Sequence, residues 1–209
     1  MALSRRFKDY NVNVFINCPF DPAYKPLFNA IVFVTIYCGF RARCALEIDD
    51  GSQVRIDKIF AVIEECRFGI HDLSRTQLDK ATGLPRFNMP LELGMFLGAK
   101  RFGDALQKRK LCLILDRDTY RYQKYISDIA GQDIRAHKSS EGNAISITRD
   151  WLRNGSGITN LPGGSEISGQ YARFKLKLPA VCSRMKLKRA ELTYNDYTNI
   201  ATEWLEANI

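Results

Sequence analysis

Lys110-Leu-Cys-Leu-Ile-Leu115 is, after its first residue, an unbroken apolar run that halts at Asp116. A half-exposed strand alternates apolar and polar residues, whereas a continuous run has both faces covered, the mark of a central parallel strand. Upstream of it, residues 89–100 read as a helix with Leu91, Met95, Phe96 and Ala99 on the inner face. Before that helix lies a polar stretch, residues 75–87, carrying Gly83 and Pro85. A loop of that length is more often functional or mobile than a plain connection. Residues 67–73 read as a strand ending in Asp72-Leu73-Ser74. Further back, Ile56, Ile59, Phe60 and Ile63 share one helical face, and residues 40–48 read as a strand. Residues 26–38 form a helix with a first-turn proline, stopped by Gly39 in the left-handed conformation. Residues 11–17 form the first strand, closed by Cys18-Pro19-Phe20-Asp21-Pro22.

Downstream, residues 120–130 read as a helix ended by Gly131, residues 134–137 as a short edge strand, and residues 145–152 as a helix. Strands and helices thus alternate, and alternation implies right-handed crossovers. The expected fold is a three-layer, doubly wound α/β structure with a mainly parallel five-stranded sheet, flavodoxin-like in plan. Residues 1–152 would form a nucleotide-binding α/β domain of this kind. Residues 153–209 would be a linker and a basic helical C-terminal extension packing on the same domain, closing with a helix over 194–206.

Composition is globular, with 45% hydrophobic and 26% charged residues, which excludes a generally disordered chain. Six cysteines without a C-x-x-C pair read as small buried hydrophobes in a reducing, cytoplasmic setting, not as a disulfide frame or zinc site. Two histidines, His71 and His137, are too few and too far apart for a His-based metal centre. No metal or cofactor is expected. The basic N-terminus lacks an apolar core and is no secretory signal, and residues 27–40 are too short to span a bilayer, so no membrane association is expected.

In open parallel sheets, ligands sit beyond the carboxyl ends of the strands. Those ends carry Asp21, Asp72, Ser74, Asp116 and Asp118. Glu92 stands in the first turns of the helix that follows the 75–87 loop, which puts it on the same rim as Asp72. A lone Glu there serves the helix dipole or a cap. Two carboxylates on one rim can also push their pKa values apart, one acting as nucleophile or cation stabiliser and the other as acid, base or hydroxyl anchor. Asp21, Ser74 and Asn88 read either as turn and cap residues or as ligand contacts. Cys18 reads as a small pocket-lining side chain, because a nucleophilic thiol needs a partner the sequence does not identify. His71, next to Asp72 in a strand, points to the opposite face. Asp116 and Asp118 are turn formers or ribose or Mg²⁺ contacts, without a phosphate-loop signature to support them.

Val14-Phe-Ile-Asn-Cys-Pro-Phe20, Gly69-Ile-His-Asp-Leu-Ser74 and Pro90-Leu-Glu-Leu-Gly-Met-Phe-Leu-Gly-Ala99 together resemble the nucleoside 2-deoxyribosyltransferase-like group and the related TIR-like nucleotide-binding proteins. The resemblance covers the first half of the chain. It implies a deoxyribosyltransferase-like fold with Glu92 as the carboxylate that attacks or stabilises the anomeric carbon of an N-glycoside. It implies Asp72 in contact with sugar or base, and Cys18, Pro19 and Phe20 on the pocket floor, with Asp21, Ser74, Asn88 and Met89 beside them. Arg86 would suit a phosphorylated ligand. The implied substrate is a nucleoside, nucleotide or NAD-like molecule, and the implied setting includes bacterial antiviral defence signalling.

Three functions remain in view: an N-glycosidase or ribosyltransferase, a non-catalytic nucleotide sensor acting through a partner or a homo-oligomer, and a nucleic-acid-associated module. The last rests on residues 171–189, where Arg173, Lys175, Lys177, Arg184, Lys186, Lys188 and Arg189 occur without an acidic residue. That stretch reads first as the solvated face of a helix or strand pair, and also as an interface with an acidic partner protein.

Overall fold

The computed structural model describes residues 8–78 and 83–209. Most of the N-terminal stretch and residues 79–82 of the 75–87 loop lie outside the described residues. The five strands are β1 (Asn13–Asn17), β2 (Arg41–Arg43), β3 (Phe68–Asp72), β4 (Leu111–Asp116) and β5 (Arg135–Ala136). They form one sheet in the order β2-β1-β3-β4-β5, and every pairing is parallel. The doubly wound, three-layer plan read from the alternation is therefore the observed one.

Side chains alternate across the sheet and sort the helices into two layers. Val14, Ile16, Phe68, Ile70, Leu113 and Leu115 face a large core with α1 (Lys25–Tyr37) and α4 (Glu141–Ser156). Phe15 faces the other side, where α2 (Arg55–Glu64) and α3 (Asn88–Phe102) bring Ile59, Ile63 and Phe96. Gly69 on β3 makes room there: a Cβ would stand 2.6 Å from Cζ of Phe96. Gly39 takes φ 80° after α1, as the stop signal required.

Two helices cover α1 from outside, α5 (Gly164–Arg184) and α6 (Tyr194–Asn208). This explains why α1 is apolar all round. Its Ile31, Val32, Phe33 and Val34 are fully buried, between the sheet on one side and Phe174 and Trp204 on the other. The linker expected at the start of residues 153–209 is short, because α4 runs to Ser156 and α5 begins at Gly164.

Three local expectations fail. Residues 120–130 are two 3-10 turns, Arg121–Lys124 and Ser127–Ile129, not a helix. Arg121 and Tyr125 instead bond the carbonyl of Leu73 and the carboxylate of Asp116, which pulls the segment out of helical register. Strand two ends at Arg43, whose guanidinium grips Glu47 and Glu65 and so folds the following turn back. Leu91 and Phe60, expected inside, are exposed. No helix among the described residues is long and apolar enough to cross a membrane.

Candidate functional site at the carboxyl rim of the sheet

β1 leaves the sheet at Asn17, whose amide donates to the carbonyl of Met89 at 2.8 Å and lies 3.0 Å from Nδ1 of His71. That clamp fixes the start of α3 against the end of β1. Glu92 follows within the first turns of α3 and is 8% exposed. Burial pushes its carboxyl up to about 7, with the charge of Arg55 pulling the other way. Cys18, the next residue after the clamp, is buried, and burial drives its thiol well above the ordinary range. The charges of Asp72, Cys44, Glu92 and Asp21 add smaller pushes in the same direction.

Asp72 closes β3 and is fully buried on the α1 side of the sheet. Its Oδ2 accepts from the Tyr24 hydroxyl at 2.5 Å and its Oδ1 from the backbone N–H of Ser74 at 2.7 Å. Nε2 of His137, just past β5, lies 2.9 Å from Oδ2, within ion-pair distance but not aligned as a hydrogen bond. Nδ1 of His137 accepts from the N–H of Ser139 at 2.9 Å, so in a neutral ring Nε2 carries the proton. The turn that delivers this contact holds Lys138 and Ser139 at φ 53° and 55°. Successive left-handed residues without glycine store strain that the surrounding contacts must offset. Tyr24 and His137 are the members of the cluster that sequence reasoning missed.

The remaining candidates divide. Asp21 accepts from the N–H of Tyr24 and pairs with Arg75 at 2.8 Å, so it both turns the chain into α1 and anchors the loop after β3. Ser74 lines a cavity of about 290 Å³ together with Tyr24, Arg75, Arg117 and His137. Phe20 is half exposed, stands edge-on to Phe28 and lines a different cavity, and Pro19 is buried. Met89 packs with Leu73, Leu93 and Ile114, while Asn88 and Arg86 are exposed at the α3 entrance. His71 points away from Asp72 and packs edge-on to Phe15 and Phe96. Burial drops its pKa to about 3, which keeps the ring neutral. Asp116 is held by Arg121, Tyr125 and the N–H of Arg117, a lock on the β4 end. The six cysteines are free thiols, and among the described residues no cluster of three or more His, Cys, Asp or Glu could hold a metal ion.

The rim therefore carries Glu92, whose carboxyl is raised to about 7, on α3, and Asp72, held by Tyr24 and the Ser74 N–H, on the α1 side of the sheet. No family model, no curated protein and no solved structure matches the chain.

Proposed function

We propose that the chain is an enzyme of the N-glycosidase or N-ribosyltransferase type, acting on a nucleoside, nucleotide or NAD-like substrate, with Glu92 as the working carboxylate. The observation that carries this reading is the near-neutral pKa of Glu92, about 7, in a buried position at the carboxyl rim of a parallel sheet. Cleavage of an N-glycoside develops positive charge at the anomeric carbon. A carboxylate at that carbon stabilises the cation or bonds to it while the electron pair of the broken bond leaves with the base. Water or a second base then completes hydrolysis or transfer. Low solvation strengthens the attraction between Glu92 and the developing cation. Asp72, fixed by Tyr24, Ser74 and His137, supplies a second negative charge that does not move. Arg75 and Arg117, in the adjoining cavity, suit a phosphorylated substrate.

The test is release of free base from a panel of nucleosides, nucleotides and NAD. Turnover of one of them, rising with pH through about 7 as Glu92 ionises, is the expected result. Absence of free base from every member would remove the enzymatic reading. Because both Asp72 oxygens are already bonded within the protein, a second reading is a sensor that binds the same ligands without turnover. It would show a ligand-induced rise in Tm with no base released.

A further inference from the structure

A second cavity lies away from Glu92, which is not among its lining residues. It has a volume of about 650 Å³, in the size range of small-molecule sites. It opens beyond β1 and β2, where Phe20 and Leu46 form its lip. Its inner wall is α1, and its outer wall is α5, α6 and the link between them. The floor is aromatic and buried, with Phe28, Tyr171, Phe174, Tyr194 and Tyr197. The Tyr171, Tyr194 and Tyr197 hydroxyls already bond backbone carbonyls of Pro26, Ala42 and Asn29, so their polar ends are satisfied within the protein.

The rim is cationic. Lys25, Lys175 and Arg189 line the opening, and Glu141 is the only acidic residue among the lining residues. Lys175 pairs with Glu141 and stands over the Tyr171 ring at 4.8 Å. Lys25 and Arg189 pair with no carboxylate among the described residues. Burial pushes the Tyr171 and Tyr197 hydroxyls up, the Glu141 charge pushes them further, and the Arg189 charge pulls the other way. Two members of the basic 171–189 stretch, half-buried Lys175 and exposed Arg189, thus line this cavity.

We propose that this cavity is a binding site for a small aromatic anion: a flat ring system against the Phe28–Tyr171–Tyr197 floor, with its phosphate, sulfonate or carboxylate between Lys25 and Arg189. Aromatic side chains recognise ring faces, and a pair of unneutralised cations recognises the charge. The site is independent of the reaction proposed for Glu92, which is absent from the cavity's lining. It gives the C-terminal helices a role as the wall of a ligand site.

Calorimetric titration tests this, with AMP and 8-anilinonaphthalene-1-sulfonate as aromatic anions. Adenosine serves as the uncharged control and inorganic phosphate as the ringless one. The titrations use the full chain carrying E92Q, so that no probe is consumed. Both aromatic anions should bind saturably, one per chain, and both controls should bind at least about tenfold more weakly. The double variant K25E/R189E should weaken the anions by about tenfold or more. Ala190 is an exposed lining residue, and A190W should fill the opening and block binding while leaving Tm unchanged. Absence of saturable binding would overturn the proposal. So would phosphate binding as tightly as AMP, or affinities unchanged in both variants. A failed free-base assay would leave these titrations unaffected, so the two claims fail separately.

Discussion

Burial holds Glu92 near half-protonation at neutral pH, with its carboxyl raised from 4.5 to about 7, and this makes its contribution to stability depend on pH. The folded state binds the proton more tightly than the unfolded chain does. The associated stability is complete below about 4.5 and is lost as pH rises through about 7. The loss is on the order of 1–3 kcal/mol. E92Q is neutral at every pH, so its stability relative to the parent should improve between pH 5 and pH 8 by that order in urea denaturation. An equal difference at both pH values would contradict the burial of Glu92. Tyr24→Phe removes the hydroxyl that donates to Asp72 at 2.5 Å and should cost about 1–3 kcal/mol, because a buried acceptor loses its partner. Denaturation midpoints check it, and no change would show that Asp72 does not depend on that bond. Glu92 and Asp72 were legible in the sequence because strand ends and a helix start mark them. His137 and Tyr24 were not. His137 meets Asp72 only because β5 lies two strands from β3 in the sheet, an order that no local pattern in the chain reveals.

At the scale of elements, hydrophobic periodicity located most strands and helices but not their partners. The turns over residues 121–129 show why: their charged and aromatic residues satisfy Asp116 and Leu73, and these distant bonds outweigh local helical propensity. Leu91 likewise fits the inner stripe of α3 by spacing, yet it is 55% exposed, because the helix turns Glu92 and Leu93 inward. Lys110 heads the run that decides the fold, and it is fully buried, donating to the carbonyls of Ile63 and Cys66 at the end of α2. In α5, Phe174 stacks on Phe33 with centroids 5.2 Å apart and also meets Trp204 and Tyr197. Phe174→Ala should cost about 3–5 kcal/mol, the loss expected for a fully buried aromatic ring. Chemical denaturation measures it, and a cost below about 1 kcal/mol would mean that α5 is not part of the core.

Across the whole molecule, parallel pairing brings the carboxyl ends of all five strands to one rim, and the two cavities described above are lined in part by residues that follow those strand ends. The C-terminal helices are integral to this arrangement. A single hydrophobic cluster runs from Val14 through Phe33 and Phe174 to Leu205. The sheet and its rim could be read from alternation alone. The large cavity could not, because its walls come from both ends of the chain. The central claim concerns Glu92, and comparing free-base release by the parent chain and E92Q at pH 8 tests it most directly. With both proteins folded alike, the parent should release base from at least one nucleoside, nucleotide or NAD, and E92Q should be slower by about two orders of magnitude or more. Full activity in E92Q would contradict the account.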